Sequence, residues 1–269
     1  MKNISADCIM PVMVIGAAAV LMPGWSRAQN ENYSHYVSPW KTPWDNEGPR
    51  GAEHWSSLDP AYVLCNTGKQ QSPIDIRGTK KVELPPLRFE YINEPFQYVI
   101  NNGHTIRIDY HDPAGTGSFL VVGQKRYQLT QFHFHRPSEE RVNGKQYDMV
   151  LHLMHKASDG EVAGVVVFIK QGHANSTVQQ VWSYMPEKEG QRAAPGASLD
   201  PTGMVPQYTG YYLYEGSQTA PPCNEGVKWF VLKTPMELSA AQIKAFAALY
   251  PNDARPPQPL NGRIVEESE

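Results

Sequence analysis

Residues 127–136, Tyr-Gln-Leu-Thr-Gln-Phe-His-Phe-His-Arg, constrain this chain more than any other stretch of its 269 residues. The aromatic content and the lack of Gly or Pro favour an extended strand, in which successive side chains leave on opposite faces. Phe132 and Phe134 therefore turn to one side, and His133 and His135 to the other. A phenyl face of that kind needs a core beneath it, so the chain must build a sheet with at least one face packed. Further β-type runs separated by turn signals occur at 96–100, 104–110, 118–122, 147–155, 162–170, 211–214 and 227–232. The clearest helical stretch is 239–249, where Ser239 suits an N-cap and Ile243, Phe246, Ala247 and Tyr250 recur at helical spacing before Pro251. A second is 177–185. The fold class is thus mainly β, and 21 Gly with 23 Pro predict many turns. No internal repeat or Pro/Ser-rich linker divides the chain, so a single domain is expected.

The amino terminus and the cysteines set the compartment. Lys2 precedes an apolar stretch at 8–22, followed by Pro23, Gly24 and Ser26-Arg27-Ala28, with small residues at both recognition positions of a secretory leader. The stretch is shorter than the roughly 20 residues a spanning helix needs, and Pro11 interrupts it. Cleavage after Ala28 is expected, leaving 29–269 as the mature domain, exported to a periplasmic or extracellular location with no membrane span. Cys8 leaves with the leader, and Cys65 and Cys223 are then expected to pair as a disulfide. The formal net charge of -3, without any run of Lys or Arg, gives no electrostatic basis for binding nucleic acid. Residues 30–60, rich in Trp, Pro, Gly and Asn and without a period, are expected to wrap the domain irregularly through Trp40, Trp44 and Trp55.

The histidines carry the chemistry. His152, in the second strand candidate, can approach the imidazole face of the first strand, whereas His155, at an odd offset, points away. Three imidazoles with a fourth, open position is the composition of a catalytic zinc site. An HxH pair alone reads as well as hydrogen-bonded core or surface histidines; the third histidine shifts the weight. Gln131 lies on the same strand face and can orient a ligand through its second nitrogen, and Ser138-Glu139-Glu140 brings carboxylates nearby. HExxH, GxSxG, GxGxxG and P-loop patterns are absent from the sequence. An unrelated exported zinc hydrolase stays open on these residues alone.

In order along the chain, Glu53-His-Trp55, Gln71-Ser-Pro-Ile-Asp75, Asn101-Asn-Gly-His104, Gln131-Phe-His-Phe-His135, Ser138-Glu139, His152-Leu-Met-His155, Gly216-Ser-Gln-Thr-Ala-Pro-Pro-Cys223 and Gln258-Pro-Leu260 resemble the α-class carbonic anhydrases of the exported bacterial type. The resemblance implies a large twisted, mostly antiparallel sheet with peripheral short helices. It also implies the reversible hydration of carbon dioxide to bicarbonate and a proton by a zinc-bound hydroxide. His133, His135 and His152 match the zinc ligands, Thr219 the hydroxyl that orients the nucleophile, Glu139 the carboxylate that accepts the threonine proton, and His104 the proton shuttle. Met154, Gly164, Gln218 and Ala220 fall at substrate-pocket positions, and Cys65 and Cys223 match the disulfide of exported members. A homodimer remains open.

The sequence also departs from the pattern. Asn46 stands for the usual tyrosine, expected to alter the water network toward His104. Gln218 stands for a leucine, Ala220 for a second threonine, and Gly164 for a pocket-floor valine. Val150 stands for the glutamate two positions before the third ligand, so His152 is expected to turn its free nitrogen to a backbone carbonyl, a water or another polar side chain. With a neutral partner there, Val150→Glu is expected to slow zinc dissociation. These departures leave a second reading, a catalytically weak or silent zinc-binding module of the same fold.

Overall fold

The strand expected at 127–136 runs from Lys125–His135 and lies near the middle of a 14-stranded sheet among the described residues. The computed structural model describes residues 33–34, 38–110 and 115–269; the leader expected at 1–28 and the cleavage expected after Ala28 lie outside them. From the central strand the sheet extends on one side through Ile106–Asp109, Tyr98–Asn101, Gly190–Ala193 and Tyr33–Ser34. On the other it passes through Met149–Ala157, Val162–Gln171, Glu225–Leu232, Tyr211–Ser217, Glu266–Ser268 and Lys80–Val82. Most neighbours are antiparallel, but Val162–Gln171 is parallel to Glu225–Leu232 and to Met236–Leu238, and Glu266–Ser268 is parallel to Lys80–Val82. Peripheral helices are short, Ser176–Trp182 and Ala240–Ala247 being the longest among the described residues. The second of these has the expected Ser239 cap, completed as a capping box by Gln242.

Two central strands explain why period 2 was hard to read beyond the histidines. Met149–Ala157 and Val162–Gln171 are buried on both faces. Leu151, Leu153, Val165 and Val167 face the larger core, while Val150, Met154, Val166 and Phe168 face a second one on the reverse. A strand covered on both sides reads as a continuous apolar run rather than an alternation.

A bulge then re-aims the central strand. Leu129 and Phe132 both enter the larger core although they are three residues apart. The pairing partner shifts between Met154, opposite Gln131, and His155, opposite Leu129, leaving Thr130 as the extra residue. This device lets a strand that buries Tyr127 and Leu129 also bury Phe132 and Phe134, and it turns Gln131, His133 and His135 to the reverse side. His152 is the direct cross-strand partner of His133, and Val150 that of His135.

The amino-terminal segment differs from expectation. Within 30–60, Gly48–Arg50 and Trp55–Leu58 form short helical turns rather than irregular chain, and Leu64–Thr67 follows beyond it. Trp44, Trp55, Tyr62, Cys65 and Cys223 form a small core of their own, with Trp40 packed against it. Elements of four residues are too short to show a helical period, which is why the sequence conceals them. Cys65 and Cys223 are disulfide-bonded across 158 residues. Among the described residues no helix is long and apolar enough to cross a membrane.

The disulfide also anchors the loop that carries Thr219. Gln71 Nε2 donates to the Cys223 carbonyl at 3.0 Å, and Trp40 Nε1 donates to the Pro221 carbonyl at 2.7 Å. Replacing both cysteines by serine is expected to cost about 2–5 kcal/mol, as loss of a native disulfide commonly does. Denaturant unfolding measures it, and an unchanged midpoint in the double variant would contradict the anchoring role.

Candidate metal centre and its cavity

His133, His135 and His152 come together on the reverse face of the two central strands. Their ring centroids are 4.9 to 5.2 Å apart. One nitrogen of each lies within 4.8 Å of the others, and the group could hold a metal ion. The opposite nitrogen of each ring meets an acceptor. His133 Nδ1 is 2.9 Å from Gln131 Oε1, His135 Nδ1 is 3.2 Å from the Asp253 carbonyl, and His152 Nε2 is 3.2 Å from Glu140 Oε2. An imidazole facing an acceptor must donate its proton there, which leaves the remaining nitrogens as lone-pair donors. Two of those, His135 Nε2 and His152 Nδ1, are buried without a hydrogen-bond partner.

Electrostatics favours a cation at this point. Glu139, Glu140 and Asp253 are all buried around the three rings. Burial alone would lower the His135 pKa, but Glu139 and Asp253 outweigh it and raise it to about 9, so positive charge is favoured at this ring, and a metal ion would take the place of the proton on its second nitrogen. For His133, burial and the two neighbouring imidazoles instead hold the pKa well below its ordinary value. Orphaned imidazole nitrogens backed by buried carboxylates fit a divalent metal ion, whose charge would offset theirs.

Glu139 is fixed from behind. Its Oε1 accepts from the Arg255 main-chain N–H at 2.8 Å, and the buried Arg255 side chain is itself tied to Gln71, Ser72 and Cys65. Glu139 Oε2 lies 3.5 Å from His135 Nε2 and 3.8 Å from His152 Nδ1, without a hydrogen-bond partner. The hydrogen bond expected from Thr219 to this oxygen is therefore not formed in this structure. His155 lies on the opposite face, buried, with Nε2 2.8 Å from the Tyr91 hydroxyl.

A cavity of about 340 Å³ reaches His133, with Gln131, Met154, Gln218, Thr219, Ala220 and Trp229 on its wall. Gly164, expected on the floor, does not line it. A Cβ at Gly164 would come within 2.4 Å of the Trp229 ring, so the indole covers the glycine and supplies the wall in its place. His104 is on the wall too, stacked on Trp44 with ring centroids 3.6 Å apart. Burial in this position lowers its pKa to about 4. Asn46 donates to the Asp253 carbonyl at 2.7 Å, the same oxygen that His135 uses, so it braces a candidate ligand.

Residues 50–269 match the family model described as eukaryotic-type carbonic anhydrase. The chain belongs to the carbonic anhydrase family. A carbonic anhydrase of Klebsiella pneumoniae is 41% identical over 232 residues, covering 86% of this chain and 93% of its own. One from Nostoc sp. is 37% identical over 230 residues, covering 84% and 86%. Among solved structures, the α-carbonic anhydrase of Thermovibrio ammonificans, in complex with the inhibitor sulfanilamide, superimposes with a TM-score of 0.79 at 42% identity, over 84% of this chain and all of that one. The present chain is thus an enzyme of the carbonic anhydrase type, and its metal-site geometry can be read as such.

Two supporting groups of this carbonic anhydrase were not assigned from the sequence. Asp253 arrives from 118 residues beyond His135, in a Pro-Asn-Asp stretch that carries no signal of its own. Glu140 was visible only as one of two adjacent carboxylates. Its partner, His152, could not be told from Glu139's without the fold.

Proposed function

We propose that this chain is an exported zinc enzyme that catalyses the reversible hydration of carbon dioxide to bicarbonate and a proton. The observation that carries the reading is the set of three imidazoles, each tethered through one nitrogen and free at the other, beside a cavity walled by Thr219 and Gln218. An all-imidazole donor set suits zinc. Zinc, when bound, lowers the pKa of water enough to supply a nucleophile near neutral pH, and carbonic anhydrase is the reference example of that effect.

The chain's own residues do the rest. Glu139, with Oε1 occupied by Arg255 N–H, offers Oε2 as an acceptor for the Thr219 hydroxyl. Thr219, donating there, can only accept from the attacking nucleophile, which turns the nucleophile's lone pair toward carbon dioxide. Met154, Ala220 and the Trp229 indole give carbon dioxide an apolar wall, while Gln218 adds one polar group. The resemblance assigns the proton released on hydration to His104; stacked on Trp44, with its pKa lowered to about 4, the ring is a weak acceptor in this position, so the relay to buffer requires it to leave the stack. Export rests on the leader at 1–28, and the disulfide supports an oxidising compartment.

The hydration rate of the 29–269 chain loaded with zinc, followed in dilute buffer with a pH indicator, tests the reading. Acceleration well above the buffer blank is expected. A folded, zinc-loaded protein without it would instead be the silent module.

His104 gives a prediction with a defined sign. Its stacked, half-buried ring is neutral near pH 7, and a histidine whose pKa is lower folded than unfolded contributes stability that is full above about pH 6.5 and declines as pH falls toward 4. Trp44→Ala, which removes the stacking surface, is expected to raise the His104 pKa toward its ordinary value in an NMR titration. A value still near 4 would show that Trp44 is not the cause. His104→Ala is expected to slow turnover in dilute buffer, with part of the loss restored by added imidazole. Unchanged turnover in dilute buffer would reassign the shuttle.

A further inference from the structure

The fully buried Val150 sits on the same strand face as His152, two residues away, inside an apolar cluster with Ile74, Ile76 and Phe168. It offers the imidazole nothing to bond. Glu140 reaches His152 from a different part of the chain, with Oε2 3.2 Å from Nε2, and is itself fully buried. We propose that Glu140 is the positioning residue of the metal site, holding His152 in its metal-facing tautomer and supplying the carboxylate that Val150 cannot. The inference rests on the zinc reading above and goes beyond it by assigning this role to a residue in a turn.

The turn holds the Glu140 main chain in place, and of the two carboxylate oxygens Oε2 meets His152 while Oε1 is buried without a hydrogen-bond partner. The Glu140 carbonyl accepts from Ser138 Oγ at 2.8 Å, and Ser138 is bonded in turn to Tyr147 N at 3.0 Å and to Gln146 Nε2 at 2.8 Å. The next residue, Arg141, donates its N–H to the Ile74 carbonyl at 3.1 Å and begins a short parallel pairing with Asp75–Ile76. A buried carboxylate so held, 3.2 Å from a ring N–H, costs too much desolvation to be a filler of space. Its imidazole proton fixes Nδ1 as the free donor and makes the ring more electron-rich than a neutral acceptor would. The nearest acceptor of His133 is an amide oxygen and that of His135 a main-chain carbonyl, with the Asp253 carboxylate 3.6 Å away, whereas that of His152 is a carboxylate at 3.2 Å.

This arrangement reverses the expectation for Val150→Glu. In the parent protein a second carboxylate at position 150 would crowd like charge onto one imidazole, and zinc release is expected to be no slower. With Glu140→Gln the same substitution becomes a rescue, because the missing carboxylate returns from the strand.

The test uses four zinc-loaded proteins: the parent, Glu140→Gln, Val150→Glu and the double variant. Zinc release into excess chelator is measured together with the visible spectrum of the cobalt-substituted forms. Glu140→Gln is expected to release zinc about 10- to 100-fold faster and to shift the cobalt bands, and the double variant to recover part of both. A folded Glu140→Gln protein with the parent's release rate would overturn the proposal. So would faster release with unshifted bands and no recovery in the double variant, which would leave Glu140 a packing role alone. If Glu140→Gln does not fold, Glu140→Asp, which retracts the charge by one methylene, carries the same comparison: faster release supports the role and the parent's rate refutes it. A parent that retains no zinc would refute the metal reading itself, and this role with it.

Discussion

His152→Ala is expected to abolish tight zinc binding and, with it, hydration activity. Three observations set the size of the effect. His152 supplies one of three nitrogens that lie within 4.8 Å of one another, and the two that remain cannot complete a three-imidazole set. Removing the ring also leaves Glu140 Oε2 without its partner in a fully buried position, and breaking such a pair costs roughly 3–5 kcal/mol. Finally, the ring centroid lies 5.0 Å from that of Trp229, so its loss also removes a packing partner of that cavity-wall indole. Metal analysis after dialysis against chelator reads the outcome, and stoichiometric zinc in the variant would count against the ligand assignment. His155→Ala is the matched control. That histidine is equally buried but lies on the opposite face beside Tyr91, so the variant should lose stability and keep its zinc.

Thr219→Val is expected to cut hydration about 100-fold or more while zinc stays bound, because misdirecting a reacting group commonly costs that much. The substitution removes a hydroxyl at nearly constant volume, so packing against Gln218 and Ala220 should survive. The loop is held independently by the Cys223 N–H to Ala220 carbonyl bond at 2.9 Å, by the Gln218 N–H to Asn224 carbonyl bond at 2.9 Å and by the disulfide. What is lost is the acceptor that directs the nucleophile, together with the donor intended for Glu139 Oε2. Hydration kinetics and zinc content on the same sample separate the two roles. A variant as active as the parent would remove Thr219 and Glu139 from the mechanism, and one that has shed its zinc would show that the loop holds the metal site together.

Much of the site was legible because a strand's period is short and strict. His133 and His135 flanked by phenylalanines could share only one face, and His152 needed only to be a cross-strand neighbour, which the register supplies. The cysteine pair followed from counting the cysteines outside the expected leader. The bulge at Thr130 was not legible, since Leu129 and Phe132 look like a broken alternation until both are seen in one core. Strands of two to four residues, such as Lys80–Val82 and Gly190–Ala193, are too short to show a pattern and owe their existence to the neighbours they pair with. Val150 leaves His152 to another polar side chain, as expected from the sequence, but that side chain is Glu140, a carboxylate from a separate turn rather than the neutral partner expected. Gly164 likewise could not be placed without knowing that Trp229 lies over it.

A zinc titration of the metal-free mature protein, with carbon dioxide hydration measured at each addition, tests zinc-dependent catalysis most directly. Activity is predicted to rise in proportion to zinc and to stop at one equivalent, with the His152→Ala protein flat throughout. Activity already present without metal, or no activity at full zinc occupancy in the folded parent, would contradict the account.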